Sequence, residues 1–253
     1  MVSFGWCRGI EDAARLQAAG YDYIECTVTG LQLENQQEHA KLLAQYADSP
    51  LPVQAVNIFF PGDLLIVGPT IDENRLSRYV AKTAEALHKI GTKIAVLGSG
   101  RSRQIPEGWS AARAEEQFVK LLERVADEFT GTGVVLAIEP LNRQECNFIN
   151  SVAEASRFAK WLNRDTIRIL ADFYHMEMDQ EPLETMLEHK DWLAHIHVAD
   201  TGRLSPGTGT YPYDEFAKYL TQAGYNGRIS AECTVKENSE FDGSLAFLKK
   251  KFN

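Results

Sequence analysis

Short apolar runs return eight times along this chain, each followed by a longer segment. That alternation constrains the fold more than any other feature. The runs are FGWC at 4–7, YDYIEC at 21–26, PVQAVNI at 52–58, KIAVLG at 93–98, GVVLAIE at 133–139, IRILAD at 167–172, AHIHVAD at 194–200 and GRISAEC at 227–233. Their length and their β-branched and aromatic content fit strands. The segments between them follow a helical period. GIEDAARLQAAG sets Ile10, Ala13, Ala14 and Leu16 near one face, and DENRLSRYVAKTAEALHKIG sets Leu76, Val80, Ala84 and Leu87 on one side. Both end at a glycine stop. AARAEEQFVKLLERVADEFTGTG and PYDEFAKYLTQAGYNG follow the same rule. Eight such units predict an α/β fold, a (β/α)8 TIM barrel, in preference to an open doubly wound sheet. No linker, low-complexity segment or charge block interrupts the 253 residues, so one domain spanning 1–253 is expected.

The formal net charge of -9 repels a phosphate backbone, and nucleic acid is not expected as a partner. The N-terminus lacks a basic segment followed by a long apolar one, and no run approaches the ~18 apolar residues of a membrane span. A cytoplasmic protein without membrane contact is the expectation. Cys7, Cys26, Cys146 and Cys233 are scattered without CxxC spacing and read as reduced thiols. Assembly into a homo-oligomer is left open by the sequence.

The last four runs end alike. Glu139, Asp172, His197 and Glu232 stand at the C-terminal ends of strands five to eight, separated by 33, 25 and 35 positions. Each interval is about one strand–helix unit. In a barrel such strand ends converge on the active-site face, and adjacent strands lie ~4.8 Å apart. Three carboxylates gathered there would resist ionising together, and a divalent metal ion relieves the repulsion. Two Glu, one Asp and one His form an oxygen-rich donor set. It suits Mn²⁺ best, with Mg²⁺, Co²⁺ and Zn²⁺ as further candidates. A strand-end carboxylate such as Asp172 also fits the cap of a following helix. Past the strands, Glu145 follows Glu139 by six, His175 follows Asp172 by three, and Arg203 follows His197 by six. All three fall in loops where a substrate would lie. His195 points the same way as His197 but one layer deeper, and reads as an interior histidine.

The motifs IEPLN, ADFYHM, HIHVADTGR with PGTGTYPYDEF, and SAEC occur in that order. In this they resemble the sugar phosphate isomerase/epimerase group with xylose isomerase-like barrels, and within it the ketose 3-epimerases. The resemblance implies that Glu139, Asp172, His197 and Glu232 bind the metal. It implies that Glu145, His175 and Arg203 hold oxygens at one end of an open-chain sugar. The expected chemistry is a metal-dependent isomerisation or epimerisation through an enediolate, with 3-epimerisation foremost and Glu139 and Glu232 as the proton carriers.

Trp6 at the end of strand one, and Phe59 with Phe60 after strand three, are candidates for the pocket wall. Glu25, ending strand two, stays open between core and site. Arg101 and Arg103, in VLGSGRSRQIPEGW, stay open between gripping an anionic group and sitting in a solvated loop. The alternatives are an aldose–ketose isomerase of the hydroxypyruvate isomerase kind and a lyase or dehydratase acting on sugar acids. An AP endonuclease-like nuclease shares the barrel. Its trinuclear zinc site, however, demands more histidines than a chain with six, of which His39, His88 and His189 fall in helical segments. A non-catalytic sugar-binding protein would not need two carboxylates spanning one metal.

Overall fold

In the computed structural model, which describes residues 2–253, the eight apolar runs close into one barrel. Strands β1 (Ser3–Cys7), β2 (Tyr23–Thr27), β3 (Val53–Asn57), β4 (Ile94–Leu97), β5 (Val135–Ile138), β6 (Ile167–Asp172), β7 (Leu193–Val198) and β8 (Arg228–Ala231) each pair with the next. β8 returns to pair with β1, and the pairs are parallel throughout. The helices are α1 (Ala13–Ala19), α2 (Gln36–Ala47), α3 (Glu73–Ile90), α4 (Gly100–Arg103), α5 (Ala111–Phe129), α6 (Val152–Leu162), α7 (Phe173–Asp179), α8 (Thr185–Glu188), α9 (Tyr213–Gln222) and α10 (Glu240–Phe252). No helix among the described residues is long and apolar enough to cross a membrane.

Local chemistry marks the helix ends. The Asp72 carboxylate accepts from the Arg75 backbone N–H at the start of α3, and Gly91 closes it in the left-handed region. Along α3, Leu76, Val80, Ala84 and Leu87 are all buried, as their spacing predicts. One expectation fails in α1. Ala13 and Leu16 are buried, but Ala14 faces solvent. The chain enters this helix through a 3₁₀ turn at Ile10–Asp12, whose tighter winding rotates the apolar face away from Ala14. α2 went unnoticed in the periodicity because it buries only Tyr46.

The core has two layers. A large one lies between strands and helices, and a small one fills the barrel with Tyr23, Ala55, Ile94, Val96, Ala137 and Leu170. At Gly5 a side chain would collide with the Tyr23 ring, so the barrel interior depends on a glycine there. Because side chains alternate along a strand, the residue two positions after each inner-layer residue faces the same axis. Tyr23, Ala55, Val96, Ala137 and Leu170 are thereby followed by Glu25, Asn57, Gly98, Glu139 and Asp172. The fold thus delivers polar groups to one end of an apolar plug.

The same parity corrects two sequence expectations. Trp6 has the outward parity of β1. Fully buried, it packs edge-on against Tyr21 and Phe241, with centroids at 5.6 and 4.7 Å. Phe59 would face inward by alternation, but Ile58 adopts φ +43 and breaks the period. Phe59 is turned onto Phe60 and onto Phe129 of α5 instead. Neither Trp6 nor Phe59 lines the pocket.

Phe118 of α5 tests the outer layer. It meets Phe148 and Phe158 edge-to-face at 5.5 and 5.0 Å, fully buried. Phe118→Ala is expected to cost about 3–5 kcal/mol, read as a lower urea midpoint at unchanged slope. A loss below ~1 kcal/mol would show that this layer is not close-packed.

Candidate active site

Four strand ends supply the donors. Glu139 follows β5, its N–H bonded to Leu97 O at 3.2 Å. Its carboxylate occupies space that any side chain at Gly98 would fill, so β4 ends in glycine to admit it. Asp172 ends β6 and serves two purposes. Its Oδ1 caps α7, accepting from the N–H groups of Tyr174 (2.7 Å) and His175 (3.2 Å). Its Oδ2 faces His197. The cap therefore uses one oxygen and leaves the other directed at His197. Glu232 follows β8, where Oε1 accepts from Asn57 Nδ2 (2.9 Å) and Oε2 from Arg203 Nη2 (2.6 Å).

His197 Nδ1 lies 3.3 Å from Glu139 Oε1, 3.8 Å from Asp172 Oδ2 and 3.9 Å from Glu232 Oε2. Donor atoms of Glu139, Asp172, Glu232 and also His175 all lie within 4.8 Å of one another. Three oxygens and an imidazole nitrogen at this spacing fit a divalent cation. The electrostatics agree. Burial, together with the Glu139 and Asp172 charges, raises the Glu232 carboxyl above its usual range despite His197 and Arg203. Burial is the largest single influence on His197 and opposes a charge there, but Glu25, Cys7 and Glu139 together outweigh it and raise the imidazole well above its ordinary range. The site demands positive charge.

His175 is not placed to ligate. Its Nδ1 accepts from the Asn142 backbone N–H (3.2 Å) and stands 2.8 Å from Asn142 Nδ2. Nε2 must therefore carry the proton. That buried N–H has no partner among the described residues. It is a donor waiting for an oxygen.

Arg203 reaches in from the loop after β7. Nη1 donates to Glu145 Oε1 at 3.1 Å, and the guanidinium lies over the Tyr174 ring at 5.0 Å. Asp200 shapes this loop, its carboxylate accepting from the N–H groups of Thr201, Gly207 and Tyr211. Arg203 itself adopts φ +59, an uncommon conformation that the braced loop maintains. Glu145 also accepts from Asn142 Nδ2 (3.0 Å), so it orients Arg203 from the rim.

Glu139, Glu145, Arg203 and Glu232 line a cavity of about 410 Å³, with Asn57, Ile58, Phe60 and Arg101 among its other walls. Asn57 and Asn142 were missed in the sequence. Asn57 had a signal, since it ends a strand at inward parity; Asn142 lay within IEPLN but outside any strand. Arg103 departs from both expectations for it. It is fully buried and donates to the carbonyls of Leu97 (3.0 Å) and Glu139 (2.7 Å), with a longer contact to Ile149 (3.4 Å). It braces the backbone of Glu139 and has no access to the cavity. His195 is interior as expected, bonded through Nε2 to Glu25.

Residues 13–251 match the family model described as xylose isomerase-like TIM barrel. A 3-dehydro-D-guloside 4-epimerase of Escherichia coli K12 is 28% identical over 95% of this chain and 94% of its own length. An L-ribulose 3-epimerase of a Methylomonas strain is 27% identical over 91% of this chain and 79% of its own. The apo crystal structure of 3-keto-D-glucoside 4-epimerase from E. coli superposes with a TM-score of 0.81 at 25% identity, covering 99% of this chain and 100% of that one. These three matched enzymes are epimerases, which belong to the isomerase class. The protein is a member of the xylose isomerase-like TIM barrel family.

Proposed function

We propose that the protein is a metal-dependent sugar epimerase that inverts the carbon next to a ketone. One observation carries this reading: Glu139 and Glu232 approach the same imidazole nitrogen from β5 and β8 and also border the substrate-sized cavity. Two carboxylates reaching one reacting centre from different sides are what inversion through an enediolate requires. One takes the proton from one face of the carbon; the other returns a proton to the opposite face.

Glu139, Asp172, His197 and Glu232 would hold the ion, which when bound supplies Lewis-acid polarisation of the ketone oxygen. Three oxygens and one nitrogen favour Mn²⁺, ahead of Mg²⁺, Co²⁺ and Zn²⁺. The Nε2–H of His175 and the guanidinium of Arg203 would stabilise negative charge spread over the substrate oxygens. Glu145 keeps Arg203 aimed. The reading retains the cytoplasmic setting expected for an enzyme of sugar metabolism.

The reacting carbon is C3 of a 2-ketose in the foremost reading. A second reading, C4 of a 3-ketoglycoside, draws support from the E. coli 4-epimerase, whose similarity extends over 95% of this chain. Both need the same proton transfer beside a ketone. Offering 2-ketoses and 3-ketoglycosides in turn, with Mn²⁺ present and NMR of the products, separates them by which carbon inverts. Inversion of neither substrate class would sink the epimerase reading.

Elemental analysis after growth in Mn²⁺ should find one divalent ion per chain, and chelation should abolish turnover until metal is restored. Full activity in verified metal-free protein would exclude the metal's role. Arg203→Ala should cost ~1.5–3 kcal/mol of transition-state stabilisation, about a ten- to hundredfold loss in kcat/KM, with the barrel still folded. Unchanged kinetics would remove Arg203 from the site.

Glu139→Gln and Glu232→Gln each keep an oxygen for the metal and remove a base. Turnover in either should fall by about a hundred- to ten-thousandfold while metal remains at least partly bound. In heavy water, solvent deuterium should enter the product at the inverted carbon. A product free of deuterium at full conversion would overturn the two-base assignment and leave the metal site standing.

A further inference from the structure

Beneath the four strand-end groups lies a second polar cluster that the proposed chemistry does not use. Its centre is Glu25 of β2, fully buried and outside the cavity lining. Its Oε1 stands 2.9 Å from His197 Nε2. Its Oε2 stands 2.8 Å from His195 Nε2 and accepts from Ser230 Oγ at 2.5 Å. Ser230 Oγ also lies 2.8 Å from Tyr23 OH. The rings of His195 and His197 meet at 79° with centroids 5.0 Å apart, one on each oxygen of the same carboxylate. The pairing of β2 with β3 shifts register between Ile24 and Glu25, an irregularity placed where a strand must re-aim a side chain.

Burying a carboxylate is costly unless it is fully hydrogen-bonded, so so many donors on Glu25 call for a reason. The reason lies in the imidazole. A neutral histidine carries its proton on either nitrogen, and only the bare nitrogen can bind a cation. An ionised carboxylate is acceptor-only. With Glu25 against Nε2, the proton of a neutral His197 stays on Nε2, and the lone pair of Nδ1 faces Glu139, Asp172 and Glu232.

We propose that Glu25 is a positioning residue that fixes the tautomer and ring angle of His197, while His195 and Ser230 clamp the other carboxylate oxygen so that Glu25 cannot turn. Glu25 touches neither substrate nor metal. It acts through His197, making Nδ1 a better donor and sparing it a search between two tautomers. This rests on the reading of His197 as a metal ligand.

Glu25→Gln isolates the effect. Glutamine keeps the size but presents one acceptor and one donor to two N–H groups. One histidine must then change tautomer or lose its bond. Mn²⁺ titration followed by electron paramagnetic resonance should show affinity about ten- to a hundredfold weaker than in the unmodified protein. Affinity within twofold of the unmodified protein would overturn the proposal. A direct readout avoids dependence on the variant's folding. In ¹⁵N-histidine-labelled unmodified protein loaded with Zn²⁺, NMR should find the His197 proton on Nε2 and the metal on Nδ1. A proton on Nδ1 would overturn the proposal even if Glu25→Gln failed to fold. Unmodified protein that takes up no metal would overturn the metal reading, and this one with it. Normal uptake with the opposite tautomer would overturn this one alone.

Discussion

Mutual repulsion among Glu139, Asp172 and Glu232 is the constraint on which the rest of this structure depends. Two unit charges ~4 Å apart repel by about 4 kcal/mol even at an effective dielectric of 20. The three carboxylates cluster around His197 Nδ1 at 3.3, 3.8 and 3.9 Å, mostly out of water. Each neighbour reduces the strain in part. Asn57 and Arg203 donate to Glu232, two backbone N–H groups donate to Asp172, and His197 Nδ1 lies against Glu139. What remains is a deficit of positive charge at one point, which a divalent ion would fill.

The barrel explains how such an unfavourable set can be assembled. Each strand buries apolar residues against the helices, and β2 to β6 bury one inside the barrel as well; those contacts hold the strands wherever their last inward residues fall. The plug of Tyr23, Ala55, Val96, Ala137 and Leu170 secures the strands, and the next inward position carries the chemistry. Stability and function occupy successive turns of the same pleat. The small side of this bargain appears at Gly98, where a β4 side chain is given up to make room for the Glu139 carboxylate.

Much of this was legible in the sequence, and the parts that were not share a cause. The eight strands were readable because burial on both faces leaves continuous apolar runs. The gathering of Glu139, Asp172, His197 and Glu232 was readable because each stands at the end of a strand in successive strand–helix units, so position carried the signal. Trp6 and Phe59 were misjudged because an aromatic residue at a strand end looks the same whether it faces axis or helix. Parity settles Trp6, but only the positive φ of Ile58 decides Phe59, and no residue type in FFPG announces it. Glu145 and Arg203 lie in loops as expected, whereas His175 belongs to the first turn of α7, because the Asp172 carboxylate caps a helix directly after β6. The bonds between His175 and Asn142 and between Arg203 and Glu145 were not legible, since they join segments distant in sequence. Arg103 is the extreme case. A guanidinium in a polar segment reads as exposed, whereas here it donates to the backbone carbonyls of Leu97 and Glu139.

Charge accounting also bears on how a proton could cross such a site. When a carbon gives its proton to Glu139 or Glu232, the total charge within the walls does not change. Negative charge only moves from a carboxylate onto substrate oxygens. The cost of the step then depends on what would face those oxygens: the unpartnered Nε2–H of His175 and the guanidinium of Arg203, which is already bonded to Glu145 and Glu232. Arg203 begins bonded to Glu232 Oε2 at 2.6 Å. Were Glu232 to take the proton, that bond would weaken as charge appeared on the substrate, and the guanidinium would be free to follow it. The same side chain can thus stabilise the carboxylate before transfer and the oxyanion after it. That is the differential stabilisation a transition state requires, where an equal grip on both states would add nothing to turnover.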